Sequence, residues 1–198
     1  MVSDASSLED RLANAARTGE LLDVSDKIDR RIPAIAIRKL LFGSDAESID
    51  PRGVRLQGAY ITGELDLIDV RTAVPLTLHQ CEFEKGIKAM RAHFPHLDLS
   101  RSRFPHLDAD DLACEHNISL REIHSEWLSL VDTNIIGDLS LRSAEMTATG
   151  KPALNMAGSI IGGDLLLNKE FIASSDSQLG TLRLLGASIT GQLDLSGA

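Results

Sequence analysis

The sequence predicts an all-β solenoid, a four-sided coil of parallel strands behind a small α-helical N-terminal segment. Three observations predict it. From Val54 to Met146 an apolar-x-apolar phrase recurs every 10 or 11 residues, as VRLQGAYI, LDLIDV, LTLHQCEF, LDLSRSRF, LSLVDTNI and LSLRSAEM. Within it, two inward columns run at five- or six-residue spacing, two residues apart, and residues two apart on an extended segment point the same way. Taking every fourth member of one column gives Leu56, Leu78, Leu99, Leu120, Leu141, Leu167 and Leu195, a stack of leucines alone. A chain that returns over itself after four bends explains that sorting; hairpins at the same spacing do not.

Residues 1–50 read as a helical cap. Ser6 and Glu9 have capping-box spacing, Leu8, Leu12, Ala15 and Ala16 follow on one helical face, and Gly19 is placed to stop the helix. A second helix is predicted with Pro33 in its first position, where the missing N–H is not needed. Ile35, Ile37, Leu40 and Leu41 supply its apolar side and Gly43 its end. The intervening LLDVSDKIDRR reads as a loop or short helix, and GSDAESIDPRG as a turn-rich junction.

Residues 51–198 are the coil, about six turns of it. The other three stacks are Ile61, Phe83, Phe104, Ser125, Met146, Ile172; Leu67, Ala89, Ala109, Leu130, Met156, Leu184; and Thr72, Phe94, Cys114, Ile135, Ile161, Ile189. The column two residues earlier, from Val54 to Ala144, mixes large and small residues. Register slips fall at 147–153 and 173–181, both rich in Gly, Pro, Ser or Thr, which predicts loops bulging from the regular body. These loops are the first place to look for a binding feature.

LTLHQCEF and LDLSRSRF resemble paired units of the pentapeptide-repeat family, whose motif is five residues centred on Leu or Phe with a small residue two before. The resemblance covers about 54–198. It departs where alternate earlier positions carry Leu or Ile, and where sixth residues recur at corners such as ITGE, IIGD, IIGGD and ITGQ. Those departures resemble a degenerate, actinobacterial-type subfamily. The resemblance implies a right-handed quadrilateral parallel β-helix. It also implies an alternative function, since some members are rod-shaped acidic dimers that imitate DNA and occupy type II topoisomerases (gyrase). Related repeat proteins are sometimes labelled oxidoreductase, which gives a third alternative.

Composition narrows the choice. A formal charge of −9 argues against a direct grip on nucleic acid, where basic residues must neutralise phosphates. The coil carries 19 acidic and 13 basic residues, a net −6. A rod of about 30 Å would need about 17 charges to match DNA at one per roughly 1.7 Å. Cys81 and Cys114 take inward positions as small apolar fillers, outside any C-x-x-C pair, and free thiols suit a reducing, cytoplasmic setting. No run is long enough for a membrane span. No Gly-rich phosphate loop, G-x-S-x-G or H-E-x-x-H occurs.

All six histidines lie between His79 and His124. His96 and His116 share a register one coil apart and His93 lies near that edge, so these three are the candidate metal ligands; outward surface histidines are the simpler expectation. The function expected is non-enzymatic protein interaction or scaffolding, without cofactor. The chain ends in mid-phrase, GASITGQLDLSGA, which predicts either a C-terminally truncated coil or self-association, as a dimer, through an open solenoid end.

Overall fold

In the computed structural model, which describes residues 7–42 and 46–198, parallel strands of two to four residues stack coil on coil. One side is an eight-stranded sheet running from Leu22–Asp23 to Leu193–Asp194. The second holds two three-stranded pieces joined through single bridges from Arg103 to Glu82 and His124. The third side is six-stranded, from Leu65–Asp66 to Leu182–Arg183. The fourth is five-stranded, from His93–Phe94 to Ser188–Ile189, and a bridge adds Arg71 below it. The protein is a four-sided parallel β-helix.

The registers reproduce the leucine stack. Leu56 pairs with Leu78, Leu97 with both Leu76 and Ile118, Ile118 with Leu139, Leu139 with Leu165, and Leu165 with Leu193. Extending each pair by two residues places Leu99, Leu120, Leu141, Leu167 and Leu195 over Leu78. From Leu56 to Leu167 these leucines are at most 1% exposed. The column from Val54 to Ala144 is buried throughout, Ser102 and Thr133 included. Those two hydroxyls are satisfied inside the core: Ser102 Oγ donates to Leu78 O at 2.8 Å and Thr133 Oγ1 to Ala109 O at 3.0 Å. A small polar residue can therefore face inward where a corner carbonyl of the coil below is within reach.

Ser125, Leu184 and Ile189 are only partly buried, and two predicted core positions are exposed. Leu195 keeps its register but is 50% exposed, because no coil of the described chain lies over it. Ile172 is 55% exposed, and Met146 stacks instead on Ala173. The inward residue there is Phe171, 6% exposed: the corner before it holds one extra residue, with Lys169 and Glu170 both left-handed, which moves the pattern by one and turns Ile172 to the outside.

The corners explain the sixth residues. After the first and third sides the chain turns through a left-handed residue, such as Asp69, Gln80, Arg91, Arg101 or Glu122, with φ between 52° and 61°. The corner before the first side carries IIGD, IIGGD and ITGQ. There Asn117 Oδ1 accepts from Asp138 N–H, Asp138 Oδ1 from Asp164 N–H, and Asp164 Oδ1 from Gln192 N–H, each at 2.8 Å. Each side chain closes the backbone of the next coil. The preceding glycine leaves room for it: a Cβ on Gly163 would stand 2.1 Å from Asp138 Oδ1, and one on Gly191 2.3 Å from Asp164 Oδ1.

The N-terminal segment is not purely helical. Helix α1 spans Leu8–Thr18 and its capping box uses Ser7 and Asp10, one residue later than the predicted pair; Ser6 lies outside the described residues. Gly19 takes the left-handed C-cap as expected (φ 69°). Helix α2 spans Ala34–Leu41, with Pro33 at the N-cap and not in the first turn. Ala34, Ala36, Ile37, Leu40 and Leu41 are its buried residues, while Ile35 is 53% exposed. Gly43, its predicted end, lies outside the described residues. The supposed loop between the helices contains two strands: Leu22–Asp23 pairs with Leu56–Gln57, and Arg31–Pro33 with Tyr60–Thr62. They form half a coil beneath the first full one, and α2 packs under Leu65–Asp66 where the third strand would run. Both helices bury their apolar residues in the same continuous core as the coil.

Candidate functional site

Many outward acids of the coil are engaged by its own backbone. In the LDL phrases the carboxylate bends back to the amide two residues on. Asp66 accepts from Ile68 N–H at 3.0 Å, Asp98 from Ser100 N–H at 2.8 Å and Asp194 from Ser196 N–H at 2.9 Å. Hydrogen bonds from the Ser196 side chain and then its backbone, with Asn168 and the Arg142 charge adding, hold the Asp194 carboxyl below its usual range. Asp110 accepts from Ser129 Oγ and Val131 N–H. Others form ion pairs across coils: Asp69 with Arg91 at 2.7 Å, Glu122 with Arg101 at 3.1 Å, Glu64 with Lys88 at 3.0 Å, Glu82 with Arg30 at 3.1 Å. Asp108 stands apart. Its Oδ1 is buried without a partner, and burial, reinforced by the nearby Asp110 charge, pushes its carboxyl up.

The histidines are spread round the coil: His79, His124, His106 and His93 lie one on each side, and His96 and His116 at the corner before the first side. Register places His96 beside His116, one coil apart, and His93 beside Ala113. His93 Nε2 lies 3.4 Å from Glu115 Oε1. Burial lowers the His96 pKa, with Asp98 opposing and the His116 charge adding to the fall. Among the described residues no group of three or more His, Cys, Asp or Glu converges as a metal site would require. His106 stacks flat on Trp127, ring centroids 4.6 Å apart and planes 1° apart, and its ring fills the space that a Gly86 side chain would need.

Both cysteines are free and buried. Burial pushes the Cys81 thiol up to about 12 and the Cys114 thiol up to about 11, the wrong direction for a nucleophile.

The first residues of the two predicted loops belong to the stack, and residues 149–153 and 176–181 bulge from it as loops. Residues 147–148 and 174–175 continue the second-side strands, paired Thr147 to Ser174 and Ala148 to Ser175. Beyond them Gly150 N–H donates to Asp176 Oδ1 and Ser175 Oγ to Lys151 O, both at 2.6 Å. Lys151 Nζ sits 4.0 Å over the Trp127 ring, which anchors the first loop to the third side.

Three concavities stand out among the described residues. The largest, about 900 Å³, lies between α1, α2 and the Leu22–Asp23 strand and has charged walls. A second of about 400 Å³ opens on the second side, where half-buried Ser125 stands in a column that Phe83 and Phe104 fill below it. Those two rings meet edge to face at 5.8 Å. The third, about 280 Å³, spans four coils of the first side and includes Arg121 and Arg142. Spacing alone signals this last pair, since Ser-Leu-Arg occurs at 119–121 and again at 140–142, one coil later.

The open rung is the most apolar exposed surface: Leu182, Leu185, Leu193 and Leu195 are 37%, 68%, 45% and 50% exposed. No helix among the described residues is long and apolar enough to cross a membrane. No family model, no curated protein and no solved structure matches this chain.

Proposed function

We propose that this chain is a non-enzymatic interaction scaffold of the pentapeptide-repeat type, working in the reducing cytoplasm, and that it self-associates through its last rung. The single observation behind this is the asymmetry of the two ends. At one end α1 and α2 cover the core with Leu12, Ala16, Ile37 and Leu41, each at most 1% exposed. At the other, Leu182, Leu193 and Leu195 are a third to a half exposed on strands whose outer edges are unpaired in this chain. Exposed apolar surface beside open strand edges favours pairing with another edge. The capped end blocks head-to-tail growth, so a two-fold, rung-to-rung dimer that closes is the geometry favoured. Flat outer faces of short strands are then left for other protein partners.

The topoisomerase-mimic alternative needs a continuous stripe of free acids. Here the acids of the first side and its corner are turned to backbone amides, and several of those elsewhere, Asp69 and Glu122 among them, are paired with Arg. Light scattering over a concentration series is the test: the mass should rise from the 21.4 kDa monomer to twice that value. A monomer at every concentration refutes self-association. Dose-dependent inhibition in a gyrase supercoiling assay would instead favour mimicry.

A further inference from the structure

The third concavity contains a repeated device. Ser119-Leu120-Arg121 and Ser140-Leu141-Arg142 occupy the same register in successive coils, with Leu120 and Leu141 buried between them. Their guanidiniums therefore leave the first side one above the other, about 4.8 Å apart at the backbone. In the lower copy the device is closed: Arg121 Nε donates to Ser119 Oγ at 3.1 Å, and Ser119 Oγ shares a hydrogen bond with Ser100 Oγ at 2.8 Å. In the upper copy it is open. Arg142 Nε and Ser140 Oγ are both buried and both without a hydrogen-bond partner. Neither arginine has a carboxylate within ion-pair distance among the described residues, although Asp98 and Asp138 line the same concavity. Both carboxylates are drawn to the backbone, Asp98 by Ser100 N–H and Asp138 by Asp164 N–H, each at 2.8 Å.

Two like charges stacked one strand apart repel, and leaving a buried donor and acceptor unmade costs about 1–3 kcal/mol each. An anion seated between the guanidiniums offsets the first. By drawing the Arg142 side chain outward it also frees Nε and the serine hydroxyl to bond. Planar guanidinium forks match tetrahedral oxygens, which a compact ammonium would not do as specifically. We propose that this concavity is an oxyanion site, holding one phosphate group between Arg121 and Arg142. The nearby aspartates, Asp98 and Asp138 in the concavity and Asp194 close enough to feel the Arg142 charge, lower its affinity for a dianion and favour a ligand whose remaining part is neutral or cationic. The chemistry is that of a phosphate, free or as a monoester.

Calorimetric titration with inorganic phosphate, and separately with methyl phosphate, at constant ionic strength tests it. The protein should show saturable one-to-one binding. The double substitution Arg121→Gln with Arg142→Gln should weaken it by a factor of ten or more for each lost charge-assisted bond, about a hundredfold in all. Arg103→Gln, on the second side, should leave it unchanged and controls for net charge. Binding of methyl phosphate alone assigns the ester as the ligand; binding of both assigns the phosphate group itself. If the double variant is unfolded by circular dichroism, Arg142→Gln alone serves, with about a tenfold loss expected. No saturable heat with either probe, or equal affinity in the arginine variants, overturns the proposal.

Discussion

Leu120→Ala probes the stack at its most covered point, with Leu99 below and Leu141 above, and Leu120 itself 0% exposed. Truncation removes the transfer term and leaves a cavity that two flanking coils of short strands cannot collapse into. That places it at about 3–4 kcal/mol, the middle of the range for buried leucines. Leu195→Ala makes the same chemical change in the same column at a residue 50% exposed. With half the side chain already in water and one neighbour instead of two, about 1 kcal/mol or less is expected. Urea unfolding followed by far-ultraviolet circular dichroism, at a concentration low enough to keep the protein monomeric, separates them. With a denaturant slope of about 2 kcal/mol/M, the midpoint should fall by about 1.5–2 M for Leu120→Ala and by no more than about 0.5 M for Leu195→Ala. Equal shifts, or a Leu120 shift below about 0.5 M, would refute the coil-on-coil account, because both sites would then have similar environments.

Three further outcomes follow from particular residues. Phe171→Ser should cost several kcal/mol and Ile172→Ser almost nothing, since the former is 6% and the latter 55% exposed; thermal melts that reverse this order would restore the unslipped register. Asp138→Ala should lose about 1–2 kcal/mol because the Asp164 amide is left without its acceptor, whereas Asp138→Asn keeps an oxygen there and should lose less, which melting temperatures would resolve. Native protein should not react with a thiol reagent at neutral pH. Because both folded thiols sit above their ordinary 9.0, the stability they contribute is complete below about pH 9 and declines as pH rises toward about 11 for Cys114 and about 12 for Cys81. An alkaline melt of the double Cys→Ser variant that declines as steeply as the parent would contradict that assignment.

The coil was legible because its signal is long and repeats. The column from Val54 to Ala144 is buried as the spacing predicts, the stacked column beside it is buried over the same span except at Ser125, and the leucine stack is reproduced by strand register. Legibility failed where the repeat is interrupted. Phe171-Ile172-Ala173 is an unbroken apolar run, so pattern alone could not choose which residue turns inward, and the extended second-side pairing through Ser175 made the choice. Leu22–Asp23 and Arg31–Pro33 went unrecognised as strands because two or three residues carry no period, and their pairing is dictated by a neighbouring coil. Ser7 displaced Ser6 as N-cap because two serines in succession offer the same chemistry in two frames. In the sequence the acids register only as net charge; geometry shows that Asp138 and Asp164 bond the next coil's backbone. The Arg121 and Arg142 pair was visible as a repeated Ser-Leu-Arg, but its open and closed states depend on side-chain positions that no spacing encodes.

Amide exchange at the last rung tests the central claim most directly. On the first side each coil's N–H donates to the carbonyl above it, Leu139 to Asp164 and Leu165 to Gln192, and within this chain the ladder stops at Leu193. Exchange at Leu193 and Leu195, measured at low and high protein concentration, should slow at least tenfold as the rung is covered by a second copy, while Leu139 and Leu165 stay unchanged. Exchange at Leu193 and Leu195 that is fast and independent of concentration would contradict self-association through this surface.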